Sequence, residues 1–169
     1  SLMMAQQSEA YKKKGNDPMN TPVNKKGFAQ ICILVPDIEK AAEKWAEVLG
    51  CEKPTVRKTH LEGNENYTYR GQPVSCDLLV TEIEMPGFVI ELHQVVGGDS
   101  TFKEFVEKHG YGVHHLGFEV GDARDAVIDS LKEIGFDTNR TLGIYPGSSW
   151  TIVDSEDVLG VNLNIKPVR

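Results

Sequence analysis

At 169 residues the chain can bury one sizeable core, and 40% hydrophobic with 25% charged residues is the composition of an ordinary globular domain. A formal charge of -7, with 18 Lys and Arg scattered rather than grouped, excludes the basic footprint of nucleic-acid binding. No apolar run approaches the roughly 18 residues of a membrane span, and the N-terminal stretch lacks the charged-then-apolar order of a secretory signal, so a cytoplasmic protein without membrane or nucleic-acid partners is expected. Ser1 and Leu2, ahead of Met3, read as a cloning remnant, and residues 1–24 as a flexible arm: they are polar and lack apolar periodicity after Met4. Cys32, Cys51 and Cys76 are an odd set without a C-x-x-C, which suits a reducing compartment and small buried hydrophobes better than disulfides.

The organising feature is an internal repeat. Phe28 to Asp37 lies over Val113 to Asp122 without a gap at a constant offset of 85, the separation of Gln30 from His115. The same offset pairs Ile31 with Leu116, Ile33 with Phe118, Asp37 with Asp122, Ala41 with Ala126 and Gly50 with Gly135. Each copy opens on alternating apolar residues, which predict a strand. Asp37 or Asp122 follows as a candidate N-cap, and then comes a helix with apolar residues at 3-to-4 spacing that ends near Gly50 or Gly135. Further strands are predicted at Thr55–Leu61, Cys76–Glu84 and Phe88–His93 in the first copy. The second copy answers with Asp137–Leu142, Trp150–Asp154 and Val161–Ile165. Ser100–Lys108 reads as a linking helix with Phe102, Phe105 and Val106 on one face. The expected class is α+β, two tandem βαβββ modules whose paired, curved mixed sheets enclose a central cavity. Their expected bounds are 25–98 and 112–169, joined by 99–111, all within one domain.

With "FAQICILVPDIEKAAEKWAEVLG" at the start, "GVHHLGFEV" in the centre and "VLGVNLNI" at the close, residues 26–167 resemble the vicinal-oxygen-chelate superfamily of glyoxalase I, methylmalonyl-CoA epimerase, extradiol dioxygenases and bleomycin-resistance proteins. The resemblance implies one metal-binding side chain from the first and one from the last strand of each module; by position these are Gln30, Glu91, His115 and Asn164. Gln30, Glu91 and His115 are then the expected ligands of one divalent metal, Zn, Ni, Co or Mn. Asn164 stands where lyases and epimerases of the family carry a Glu that both binds metal and moves a proton, and an amide lacks the basicity for that step. Leu34 and Tyr111 occupy positions where animal-type glyoxalase I has arginines, which argues against glutathione, while the linker "GDSTFKEFVEKHGYGVHHLGFEV" is similar to the epimerase branch.

The reading that follows is a metal-dependent lyase or isomerase of the glyoxalase and methylmalonyl-CoA epimerase type. Its substrate would be a small carbonyl or thioester compound, and relatives of this kind lead us to expect a homodimer. The rival is a non-catalytic small-molecule binding protein of the bleomycin-resistance type; an extradiol dioxygenase would need two His and a carboxylate for iron, where this chain offers one His. Asp77 and Glu82 are candidate replacement bases, and Tyr145 and Trp150, with Tyr69, candidate pocket walls. Strand alternation turns His114 to the face opposite His115, and His60, His93 and His109 read as solvated. The turn-forming run Ile144–Ser149 reads as a mobile loop at the pocket mouth.

Overall fold

The computed structural model describes residues 22–168. The expected arm lies outside them except for its last three residues, of which Val23 packs into an apolar cluster. Strand β1 (Phe28–Leu34) buries Gln30, Cys32 and Leu34 on one face, and its other face carries Ile33 into a cluster with helix α1 (Ile38–Leu49). Asp37 caps α1 by accepting the Lys40 N–H at 3.1 Å, and Gly50, at φ 65°, closes it in the left-handed region that a side chain would strain. Ile38, Ala41 and Trp45 of α1 cover the outer face of β5 (Cys76–Met85) and β6 (Phe88–Gly98). The duplicated partners are β7 (Gly112–Glu119) and helix α3 (Arg124–Glu133), whose Leu131 packs on β10 (Asn162–Lys166).

β1 pairs parallel with β6 and antiparallel with β7, and β7 pairs parallel with β10. The registers fix the geometry that matters. Ile31 stands opposite Leu116, Cys32 lies between Glu91 and His115, and Gly117 lies between Gln30 and Asn164. The two curved halves thus join edge to edge in one ten-stranded sheet of order β2-β5-β6-β1-β7-β10-β9-β8-β3-β4, where β2 is Arg57–Leu61, β3 Tyr67–Tyr69, β4 Gln72–Pro73, β8 Leu142–Tyr145 and β9 Ser148–Val153.

Helix α2 (Thr101–His109) starts where expected, with Ser100 accepting the Lys103 N–H at 3.0 Å. Two local expectations fail for physical reasons, and one element goes beyond the sequence reading. Asp122 is not an N-cap: Val120 and Gly121 donate backbone N–H bonds to Lys166 and Pro167, which delays the turn, and α3 begins after Ala123 without a side-chain cap. Residues 137–141 are not a strand. The Asp137 carboxylate accepts the N–H groups of Thr138 and Asn139, and Asn139 and Arg140 take positive φ, so side chain to backbone bonds replace a ladder and β8 starts at Leu142. The β3–β4 hairpin was not read from the sequence. Arg70 and Gly71, both at positive φ, form its two-residue turn, and Pro73 is tolerated because β4 is an edge.

That hairpin draws the curled sheet together. It lies in sequence between β2 and β5 at one end, yet pairs with β8 at the other, so the cavity between the two ends is walled by one chain. Tyr67 anchors it: its hydroxyl donates to the Asp99 carbonyl, 3.2 Å away, and its ring packs 5.9 Å from Trp150. Run Ile144–Ser149 is not a loop: Ile144 and Tyr145 of β8 pair with Ser149 and Ser148 of β9 across a Pro146–Gly147 turn. Gly143 lies flat on Trp150, where an added Cβ would come within 2.4 Å of the indole. Gly143→Ala is expected to lower the unfolding free energy in urea by about 1–3 kcal/mol, the usual cost of overpacking, and to shift Trp150 fluorescence as the ring is pushed toward the cavity.

Candidate active site

A cavity of about 490 Å³ opens inside the curl, a size suited to a small organic ligand. Its floor is polar. Gln30 from β1, Glu91 and His93 from β6, His115 from β7 and Asn164 from β10 all reach it, while Leu78, Val80, Phe102, Trp150 and Ile152 form apolar walls. Tyr145 and Arg57 are exposed at its edge, and Thr59, Leu61, Glu82 and Lys166 complete the lining. The expected ligand set and the expected walls Tyr145 and Trp150 therefore line one space; Tyr69 does not, and stacks instead beside Arg70. Asp77 points away and binds His60 at 2.9 Å, so Glu82 is the one of the two candidate bases that faces the cavity.

His115 Nε2 lies 3.4 Å from Gln30 Oε1. Gln30 reaches this place because Gly117 has no side chain: a Cβ there would fall 2.7 Å from Gln30 Oε1. The other ring nitrogen of His115 is 2.9 Å from His114 Nδ1, and His114 Nε2 is 3.1 Å from Thr101 Oγ1. His114 is thus fully buried behind His115 rather than on the opposite face. The alternation fails because β7 slips register between the Cys32 and Ile33 pairings, a bulge that turns consecutive side chains inward. The proton arrangement in which His115 donates from Nδ1 to His114, and His114 from Nε2 to Thr101, leaves His115 Nε2 with a bare lone pair toward the cavity.

Burial, reinforced by the charge of neighbouring histidines, holds His115 well below its ordinary value and His114 down at about 3, so both rings are neutral at pH 7. Glu91 is opposite in kind. Burial alone would raise its carboxyl, but His93, with Nε2 2.6 Å from Glu91 Oε1, outweighs that and holds it at about 2. His93 is therefore not solvated but a buried member of the floor, and among the described residues its Nδ1 is the buried side-chain polar atom without a hydrogen bond. Cys32 lies under the same floor, and burial followed by the Glu91 charge pushes its thiol up, keeping it protonated. Both residues were open to a simple signal: each sits two positions from an assigned ligand on the same strand, Cys32 from Gln30 and His93 from Glu91, and so shares its face.

The donor set fits a divalent metal. An ionised carboxylate, a neutral imidazole with its Nε2 turned to the cavity and an amide oxygen are the O and N donors that Zn, Ni, Co or Mn accept. Asn164 does not join them. Its Oδ1 accepts the Thr151 N–H at 3.2 Å, so its amide nitrogen faces the floor, 3.5 Å from both Gln30 Oε1 and His115 Nε2. In this orientation Asn164 presents N–H rather than a lone pair to the floor.

The profile of the Glyoxalase/Bleomycin resistance protein/Dioxygenase superfamily matches residues 29–152, and the chain belongs to that superfamily. It is 34% identical over 106 residues to the ethylmalonyl-CoA/methylmalonyl-CoA epimerase of Cereibacter sphaeroides, a match spanning 62% of this chain and 68% of the relative. The fold is shared with methylmalonyl-CoA epimerase from Mycobacterium tuberculosis, at 19% identity and a TM-score of 0.54 over 85% of this chain and 88% of that one. It is also shared with a single-residue variant of the Streptomyces coelicolor methylmalonyl-CoA epimerase in complex with 2-nitronate-propionyl-CoA, at 20% identity and a TM-score of 0.52 over 82% and 92% of the two chains.

The neutral histidines make acid sensitivity predictable in sign. His114 has a folded value of about 3 against an ordinary 6.5, so between those limits the unfolded chain binds the proton that the folded chain refuses. The contribution of neutral His114 to stability is full above pH 6.5 and is lost as pH falls below it. Urea unfolding from pH 7 to pH 4 should show this decline, and His114→Phe should flatten it by about 1.4 kcal/mol per pH unit, one proton's worth.

Proposed function

We propose that the chain is a metal-dependent isomerase of the epimerase type, moving a proton at the carbon beside the carbonyl of a small thioester or related carbon acid. The observation that carries this is the convergence, on the floor of one apolar-walled cavity, of Gln30, Glu91 and His115 with a second carboxylate, Glu82, directly opposite Glu91 on the neighbouring strand. Similarity to the Cereibacter sphaeroides epimerase supports the reaction class. Gln30, Glu91 and His115 would hold a divalent metal, which supplies Lewis acidity to a carbonyl oxygen and so acidifies the adjacent C–H.

The chain's own groups then divide the remaining work. Glu82 replaces the carboxylate missing at Asn164 as the group that takes and returns the proton, because it faces the same cavity as an acceptor. Phe102, Trp150 and Ile152 give the cavity apolar walls, which would strengthen charge interactions at a substrate bound there. Arg57 and Lys166 place positive charge on the lining, suited to an anionic substrate group, and the cavity takes the acyl end of a thioester while a long carrier extends past Tyr145. The competing reading is a sequestering protein, favoured by the N–H donor that Asn164 offers where relatives carry a base.

Exchange in heavy water separates the two. Wild-type protein loaded with Zn, Ni, Co or Mn should place deuterium at the α-carbon of 2-alkylmalonyl thioesters, read by mass spectrometry, and His115→Ala and Glu82→Gln should each slow it about 100-fold or more. Thioester binding without exchange under every metal establishes the sequestering protein instead, and an undiminished rate in Glu82→Gln removes that residue from the mechanism.

A further inference from the structure

The three donors assigned above would leave a metal's remaining position open to a substrate oxygen, and Asn164, with its NH2 turned inward, adds no fourth donor. Another donor lies just beneath the floor. Cys32 stands between Glu91 and His115 in the two ladders that flank β1, and the Cys32 sulfur, a Glu91 carboxylate oxygen and a His115 ring nitrogen all lie within 4.8 Å of one another. Cys32 is fully buried in the apolar cluster with Leu34, Leu78 and Phe102, and its thiol faces the Glu91 carboxylate. Independently, the unpartnered His93 Nδ1 in this buried cluster shows a floor whose polar capacity is not consumed by the protein itself.

We infer that Cys32 is a ligand of the metal, so that the centre is a Cys32–Glu91–His115 site with Gln30 beside it and prefers thiophilic ions such as Zn and Co over Mn and Mg. The inference rests on the metal-dependent reading above and changes its donor set. On binding, the Cys32 thiol releases its proton to solvent as the metal–sulfur bond forms, and the ion's charge stabilises the thiolate that burial alone disfavours. Position 117, the counterpart of Cys32 in the second copy, is a glycine, so the sulfur is supplied by one half only.

Cobalt is the probe, since thiolate ligation gives an intense near-ultraviolet charge-transfer band independent of any turnover. Full-length protein, stripped with chelator and titrated with Co(II), should bind one equivalent and develop that band; Cys76→Ser and Cys51→Ser should keep it, and Cys32→Ser should lose it. The Co(II) dissociation constant of Cys32→Ser should rise at least on the order of the 10–100-fold seen for losses one shell further out. Should Cys32→Ser fail to fold, as judged by circular dichroism, the band persisting in both other variants still assigns it to the third cysteine of the chain. Co(II) bound without a thiolate band overturns the Cys32 assignment and leaves the metal-dependent reading standing, whereas no Co(II) bound by wild type overturns both.

Discussion

The antiparallel contact between β1 and β7, with Ile31 facing Leu116, governs the rest of the molecule. It lies at the centre of the repeat, and because the two strands are copies of one another, it places equivalent residues diagonally: Gln30 beside Gly117, and Cys32 beside His115. A shift by one residue would turn Gln30 and Cys32 to the helix-covered face and dismantle the floor. The parallel strands on either side, β6 and β10, then have nowhere to deliver Glu91 and Asn164 except against that pair. Register, not proximity in sequence, assembles the site.

The two halves have diverged in what they place at equivalent points. One half gives a carboxylate, Glu91, kept ionised by His93; the other gives Asn164, tied by its oxygen to Thr151. One gives a sulfur at Cys32 and the other a bare Gly117 that leaves room for Gln30. The site is consequently one-sided, with both cavity carboxylates and the sulfur on the first copy's strands and Lys166 on the second's. The second copy contributes a neutral imidazole, braced by His114 and Thr101. In the proposed isomerase reading, the metal and the Glu82 base would both sit on the first copy's side.

Cavity closure has a separate origin. The apolar walls come from both ends of a curled sheet, and the β3–β4 hairpin holds those ends together through Tyr67 on Trp150 and the pairing with β8. Phe102 of the linking helix sits among these rings and the floor histidines, 4.9 Å from His93 and 4.8 Å from His114, so helix, hairpin and floor share one packed cluster. Enclosure of this kind is what keeps the buried imidazoles neutral, whereas His93 holds the Glu91 carboxyl down against it.

The repeat, the strand and helix order and the four strand positions that meet on the floor were legible from residues alone, because alternation and capping are local and the offset of 85 carries one copy onto the other. The tertiary structure decided what those rules cannot express. The bulge in β7 reversed the facing of His114, the turn bonds of Asp137 dissolved a strand, and the excursion of residues 62–75 to the far edge of the sheet closed the cavity. It also brought Cys32, His93 and Lys166 to the site, and fixed which end of the Asn164 amide faces it. Each depends on partners distant in sequence, and a hydrogen bond or a ladder register between such partners exists only once the chain has folded.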